Sequence, residues 1–350
     1  MTGRRDPDGD RIFVHRVLIV IALAAVAFLL WQLRSLVLML FGAVVVASIF
    51  RALADVIRDR ARLPDGIAVA LSIGLILGSI AALVTVFGGQ IAAQVHVLTE
   101  ALPAAWRLLE ERIAAMGFGE QLAALSESAR SGGGGAASGL GKVVMSVGNG
   151  IADTLVVIFG GIFLAAQPNF YRIGAIKLVP QSKRALVAEA MDDSERALRL
   201  WLRGQLFAMV VVGTLTGLGL WLIGVPSALA LGLLAGMLEF IPYAGPIAAA
   251  IPGVLLALVA GPETALWTVA LYVGVQQFEG YVLQPLVQQY AVDLPPVVLL
   301  FSLLGFGMLF GIIGIILAAP LTVVSYVLVK RLYVQEALGT KTPIPGEDKK

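Results

Sequence analysis

The sequence predicts an all-α fold, a polytopic transmembrane helical bundle of about eight spans with broken or re-entrant helices in its C-terminal half. Three observations carry that prediction. Of 350 residues, 59% are hydrophobic and 14% charged, against about 45–50% and about 25% in soluble proteins. Apolar runs recur at the length of about 20 residues that a helix needs to cross a hydrocarbon core of about 30 Å. In the last third, prolines and glycines rather than charges divide the apolar sequence.

Residues 17–33 and 35–50 are two apolar runs parted only by Arg34, which reads as a tight helical hairpin. A signal peptide is the competing reading of the first run, but no small-residue cleavage site followed by polar sequence comes after it. Residues 67–88, 143–166 and 206–223 give three further spans. Asn149 and Asp153 lie within the second of these, four apart and therefore on one helical face. Beyond residue 223, the stretches 227–240, 247–259 and 266–282 are separate pieces. Residues 295–329 would make a helix of about 52 Å, too long for one crossing, so a break is expected between Gly305 and Gly314.

Basic residues turn this order into a topology, because cytoplasmic loops carry the excess of Lys and Arg. Arg4, Arg5, Arg11 and Arg16 place the N-terminus inside, as do Arg51, Arg58, Arg60 and Arg62 for the loop after the second span. Lys177, Lys183, Arg184, Arg196, Arg199 and Arg203 do the same before the fifth, and Lys330 and Arg331 for the C-terminus. Both ends inside require an even number of crossings, about eight if some C-terminal pieces are re-entrant and about ten if each crosses. The expected organisation is a tail with three spans (1–88), an extracytoplasmic helical insertion with a Gly-rich linker (89–142) and a fourth span (143–167). A cytoplasmic amphipathic region (168–204) follows, read as a solvated helix on the membrane face. The C-terminal transmembrane bundle (205–333) and a polar cytoplasmic tail (334–350) complete it.

Composition excludes several chemistries. There is no cysteine, so thiolate nucleophiles and Cys-ligated metals are out, and His15 and His96 alone do not make a histidine metal site. A net charge of +2 gives no broad basic face for nucleic acid. No phosphate-binding loop or nucleophile elbow occurs. Catalysis is not expected, since the intramembrane acids have no accompanying His, Cys or activated Ser, and neither metal nor cofactor is expected.

An ionisable side chain inside a membrane costs at least about 2.5–3.5 kcal/mol at a helix centre, so each one calls for a reason. Glu239 ends an apolar run and is followed by Pro242, Tyr243, Gly245 and Pro246, which must interrupt the helix. Non-helical backbone at membrane depth is tolerated only where protein or a watery cavity surrounds it, as in broken-helix transport sites. An interfacial turn with its carboxylate in water is the alternative. Glu279 follows Gln276 by three residues and precedes Gln284 and Pro285, which joins a carboxylate to amides in a set suited to a cation or polar solute. Anchoring of a helix end is the alternative there. Glu239, Tyr243, Gln276, Glu279, Gln284, Asn149 and Asp153 are therefore the candidate pathway residues, and Glu263 and Asp293 read as loop residues.

Glycine pairs at small-xxx-small spacing, Gly74/Gly78, Gly213/Gly217, Gly232/Gly236 and Gly307/Gly311, allow close helix packing and make self-association into a homo-oligomer plausible. Gly305, Gly307, Gly311 and Gly314 are candidate hinges.

Four blocks in order, Glu239-Phe-Ile-Pro-Tyr-Ala-Gly-Pro246, Gln277-Phe-Glu-Gly-Tyr-Val-Leu-Gln-Pro285, Leu294-Pro-Pro296 and Gly311-Ile-Ile-Gly-Ile-Ile-Leu-Ala-Ala-Pro320, resemble the C-terminal pattern of the autoinducer-2 exporter (AI-2E) family of bacterial permeases. Where that pattern commonly has Asn after the second glutamate, this chain has Gly280. The resemblance implies a multi-pass protein of the bacterial inner membrane, whose relatives are linked to export of the quorum signal autoinducer-2 or to sodium or lithium exchange for protons. It carries Glu239, Pro242, Gly245, Pro246, Glu279, Pro285, Gly311, Gly314 and Pro320 over as motif positions, Pro320 as a further helix break. The expected function is secondary transport of a small polar solute coupled to protons or sodium. A Na+(Li+)/H+ antiporter without organic substrate and a non-transporting membrane scaffold are the alternatives. Expected partners are the lipid bilayer and a small polar solute or monovalent cation.

Overall fold

The computed structural model describes residues 31–82, 153–288, 294–340 and 342–343, with isolated positions at 17–19, 21, 28–29, 84–85 and 89. Every regular element among them is helical, as an apolar chain with its backbone to satisfy in lipid requires. Four helices are long and apolar enough to cross a membrane, or five if one sharply bent pair counts as a span. The expected eight are not reached among the described residues.

Helix α1 (Arg34–Ala61) runs past the apolar stretch into the arginines and stops where Arg62 turns left-handed at φ 52°. The residue before it, Leu33, is at φ −88° and ψ 7°, its N–H bonded to the Leu29 carbonyl and its carbonyl to the Val37 N–H. Helical hydrogen bonds thus run on through Leu33, which leaves no room there for the two to five residues of a helical hairpin loop. Helix α2 (Asp65–Ala82) is tied back to α1 at two places. Ser72 donates to the Phe50 carbonyl at 2.6 Å, and Arg51 grips both Asp65 oxygens at 2.9 Å.

Helix α3 (Asp153–Ala166) lies on α1 through Gly160 and Gly161, where a Cβ would press on Ala43 and Val46. At its end the Ala165 carbonyl accepts from Arg51 Nε at 2.7 Å. The chain then bends by 93° into α4 (Pro168–Lys177), which starts on a proline and buries no residue. Proline suits that position because the first N–H of a helix has no partner to lose.

Helix α5 (Arg184–Ile223) has 40 residues, about 60 Å, and is the element on which α1, α4, α6, α8 and α11 all pack. This changes one sequence expectation. The boundary drawn at residues 204 and 205 falls inside an uninterrupted helix. The half read as a solvated amphipathic helix buries Ala197, Leu198, Trp201 and Leu202 in one core with Leu38 and Val45 of α1 and Val323 and Val327 of α11. The charges on its other faces are used in ion pairs: Arg199 with Asp55 at 2.8 Å and with Glu195, Asp192 with Arg172 at 2.6 Å, and Glu189 and Asp193 with Arg331.

Helices α6 (Ala228–Leu238) and α7 (Ala244–Ala260) have 11 and 17 residues, about 16 and 25 Å, each short of a full crossing. Helix α8 (Pro262–Phe278) begins on Pro262, with Glu263 in its first turn. Glu263 is thus helical rather than in a loop, at the end where a negative charge is favourable. Five residues of π-helix (Glu279–Leu283) pass α8 into α9 (Gln284–Gln288).

Helix α10 (Pro296–Ile316) breaks at Gly311, at φ 67° and ψ −147°, within the interval expected to hold a break. A Cβ on Gly314 would strike the Phe306 carbonyl oxygen, and one on Gly307 would meet the Ile315 side chain at 2.9 Å, so the chain folds back on itself around Gly311. Helix α11 (Ala318–Leu328) follows after Leu317 and unwinds into π-helix at Val329–Gln335.

Candidate functional site

The position of the first acid begins with glycine. Gly213 and Gly217 of α5 face Gly232 and Gly236 of α6. A Cβ on Gly232 would lie 2.7 Å from the Gly213 oxygen and the Gly217 nitrogen, and one on Gly236 would lie 2.6 Å from the Met209 oxygen. With no side chain between them the two backbones touch, which is how helices associate where lipid supplies no hydrophobic drive. Gly74 and Gly78 share the spacing but have open space around them.

Close contact along that seam brings the end of α6 onto α5. The Glu239 carbonyl, released where the helix stops, accepts a hydrogen bond from Gln205 Nε2 at 2.7 Å. The following turn is held by Ile241 N–H to the Leu238 carbonyl and Gly245 N–H to the Ile241 carbonyl, both at 2.9 Å. Tyr243 sits at φ 62° and ψ −49°, uncommon for a residue with a Cβ, and its side chain is exposed. Gly245 has no substitute, since a Cβ there would collide with the Leu238 carbonyl oxygen. Pro242 lies in the turn and Pro246 in the first turn of α7, where a missing N–H is tolerated. Trp201 packs edge-on against Phe240, ring centroids 5.8 Å apart, and fixes the exit from Glu239.

The second acid is placed by Pro285. A proline at that position removes one helical hydrogen bond and crowds the carbonyl four residues earlier. The helix widens rather than breaks: the Gln284 N–H reaches back five residues to the Glu279 carbonyl, the π geometry that recurs at functional sites. Pro285 therefore marks a bulge in a continuous helix, not the break expected from sequence.

Glu239 is 3% exposed and Glu279 8%. Their carboxyl groups lie near enough to act on each other electrostatically. Gln276 Nε2 donates to Glu279 Oε2 at 2.5 Å and Gln284 Nε2 to Glu279 Oε1 at 3.3 Å, while Glu239 Oε2 is buried with no hydrogen-bond partner. Neither acid takes part in an ion pair among the described residues. Two carboxyl groups together in a dry place, one of them short of a donor, form an arrangement whose charge wants a proton or a cation.

The fold thus brings Glu239, Gln276, Glu279 and Gln284 together. It does not join Asp153 to them: Asp153 opens α3, which lies against α1. Asn149 and Asp293 fall outside the described residues. Gly305 and Gly307 have helical backbone, Gly311 is the break and Gly314 its contact point, and Pro320 lies in the first turn of α11. Sequence reasoning missed Gln205, whose signal was an amide standing alone in an otherwise apolar run. It also missed Thr216 and Thr268, buried hydroxyls without a partner. No group of three or more metal-ligating side chains occurs among the described residues.

A family model described as AI-2E family transporter matches residues 18–333, spanning both acids, the turn and the Gly311 break. The chain belongs to the AI-2E transporter family. It is 30% identical over 314 residues to MT0215 of Mycobacterium tuberculosis, named as a transport protein, covering 86% of this chain and 84% of the relative. Identity to the transport protein YrrI of Bacillus subtilis is 35% over 151 residues, 43% of each chain. Identity to the permease PerM of Escherichia coli K12 is 32% over 173 residues, 49% of each. The chain spans less than half the length of YrrI and PerM. Membership in this family, with its apolar helices, makes the chain a multi-pass membrane protein of the transporter or permease class.

Proposed function

We propose that this AI-2E family member is a secondary permease that moves a small polar solute of the autoinducer-2 type across the bacterial inner membrane, coupled to protons or sodium. The observation that carries the reading is that Glu239 and Glu279 are both buried and near enough to act on each other, at a helix interruption on one side and a π-bulge on the other. Binding a proton or monovalent cation relieves the repulsion between the two carboxylates. Its release restores that repulsion, which gives the two states of the site different energies and so a means of biasing alternating access. Glu239 Oε2, with no donor of its own, is the atom that receives the ion, and the amides of Gln276 and Gln284 hold Glu279 in place. The charge distribution of the loops supports cytoplasmic N- and C-termini, and the glycine faces support a homo-oligomer.

A second reading, Na+(Li+)/H+ antiport without an organic substrate, is favoured by the all-oxygen character of the acid pair. Reconstitution into proteoliposomes with an internal pH dye separates the two. Sodium or lithium alone drives a pH change under the second reading, whereas the first requires a furanosyl solute. Wild-type flux and pH dependence in correctly inserted Glu239→Gln and Glu279→Gln proteins would remove the acid pair from either mechanism and return the chain to a scaffold.

A further inference from the structure

Beyond the acid pair, the helices that enclose it carry a second polar feature. Helices α5 and α8 run antiparallel: Gly219 lies against Leu271, where a Cβ would meet the leucine side chain, and Val212 shares a core with Leu283. In that register Thr216 is level with Gly274, about 8 Å from Glu279 and about 9 Å from Thr268 along the axis. Thr268, Tyr272 and Glu279 follow one another at four and seven residues, which sets them on one side of α8 and of the π-helix that continues it.

Thr216 and Thr268 are fully enclosed, and between residues 205 and 283 they are the only buried polar side chains besides the two acids. A hydroxyl in an apolar helix can bond the carbonyl four residues back, as those of Ser194, Thr214 and Thr322 do at 2.6–2.7 Å. Thr216 and Thr268 do not, and their Oγ1 atoms have no hydrogen-bond partner among the described residues. An unpaired buried hydroxyl is costly, and valine would fill the same space without that cost, so two such threonines point to a partner from outside the chain. Between them lies the Tyr272 hydroxyl, which donates to the Ala249 carbonyl at 3.2 Å and keeps its oxygen available as an acceptor. Gly253 admits it, since a Cβ there would collide with the hydroxyl.

We propose that Thr216, Tyr272 and Thr268 hold a file of water that carries protons between the acid pair and the end of the bundle where α8 begins. The proposal rests on the reading of the acid pair as the coupling site, and names the proton as the ion that reaches it by this route. A gap of about 8–9 Å is three hydrogen bonds of about 2.8 Å, or two waters between neighbouring hydroxyls. Each hydroxyl accepts a proton on a lone pair and releases its own on the other side, so one proton advances and no group is left charged. Oxygens this far apart cannot surround one sodium ion. The distance from Pro262 to Glu279 is about 26 Å of helix. With the first half of α5 on the cytoplasmic side by its charges, α8 begins at the outer face, and the file leads protons in from there.

Two measurements on the full chain test this. Radiolytic hydroxyl labelling in lipid nanodiscs marks side chains that touch ordered water. Tyr272 should be labelled, buried Phe50 should not, and Thr216→Val or Thr268→Val should lower the Tyr272 signal several-fold. In proteoliposomes with an internal pH dye, driven in turn by sodium, lithium and a furanosyl solute, each valine variant should move protons about ten-fold more slowly, the scale of one lost hydrogen bond. Its melting temperature should be unchanged or raised, and Thr216→Ser and Thr268→Ser should run at the wild-type rate. Hydroxyls with a purely structural role would leave the rate unchanged in the valine variants. Unlabelled Tyr272 in the wild type overturns the proposal whatever the variants do. If Glu239→Gln and Glu279→Gln stop proton movement while both valine variants run at the wild-type rate, the acid pair stands and the water file alone is overturned. Glutamine variants at the wild-type rate, or a wild-type chain that moves no protons with any of the three drivers, overturn the acid-pair reading and the file with it.

Discussion

Replacing Gly232 by alanine tests whether the α5–α6 seam, and with it the placement of Glu239, depends on bare backbone contact. The added methyl would start 2.7 Å from the Gly213 oxygen and the Gly217 nitrogen. Ordinary heavy-atom contacts lie near about 3.5–4.0 Å, so α6 must move off α5 by roughly 1 Å or the helices must distort. Overpacking of that kind costs about 1–3 kcal/mol. Alanine also has a higher helix propensity than glycine, by about 1 kcal/mol, and that gain must be removed from the comparison. Gly74→Ala supplies the correction, because Gly74 is helical with nothing within 4 Å of its Cβ position. The difference between the two variants isolates the seam. At about 2–4 °C per kcal/mol, thermal unfolding in detergent followed by circular dichroism should place Gly232→Ala roughly 2–12 °C below Gly74→Ala. Solute flux in Gly232→Ala should fall as well, since α6 carries Glu239 away from Gln205. Equal melting temperatures would refute the reasoning, as would a Gly74→Ala protein destabilised to the same degree.

Pro285→Ala should let the π-bulge relax to α-helix, turning Glu279 by about 100° relative to the residues after it. The expected result is a raised melting temperature with reduced flux. Gly311→Ala places a Cβ at φ 67° and ψ −147°, a region costing about 1–3 kcal/mol for a non-glycine residue. Gly305→Ala, helical and in open space, should be neutral or slightly stabilising in the same melting assay. A double-mutant cycle on Asp55 and Arg199, 15% and 30% exposed in their side chains, should give a coupling of about 1 kcal/mol, discounted for solvent and little changed by salt. In the flux assay, the double variant of Glu239→Gln and Glu279→Gln should be no worse than the more damaged single variant, because the two groups act as one unit.

What the sequence made legible follows from which constraints are local. Lipid forces every backbone group to be satisfied within its own segment, so apolar length alone found α1, α2 and the membrane half of α5. Pro242, Gly245 and Pro246 act on the backbone at their own positions, and the interruption after Glu239 is where they put it. Gly311 could be bounded but not singled out, since four glycines in ten residues are each able to break a helix. Pro285 was misread because a proline's strain has two outlets, a break or a widened turn, and the packing of α8 and α9 on α5 decides between them. The amphipathic half of α5 was misassigned for a related reason. Its acids and bases match a solvated face, and only the arginines and aspartates of α1, α4 and the C-terminal π-helix reveal them as partners. Gln205 showed only as a lone amide in an apolar run, and its role stayed hidden because its target is a backbone carbonyl freed by a turn in another helix.

Those partners bear on how the acid pair is held. Helix α5 contains no proline between Arg184 and Ile223 and is clamped at its first half by ion pairs to α1, α4 and the segment after α11. Six residues after Arg199 the same helix presents Gln205 to the Glu239 carbonyl, and two turns further it presents Gly213 to α6. A continuous helix is stiff over that distance, because bending it sharply requires a proline, an inserted group or a lost hydrogen bond. Rotation of α5 about its axis would therefore break the ion pairs and turn Gln205 away from Glu239 in one motion. The charged layer and the acid pair are two contacts of one rod, and neither can rearrange while the other keeps its present geometry.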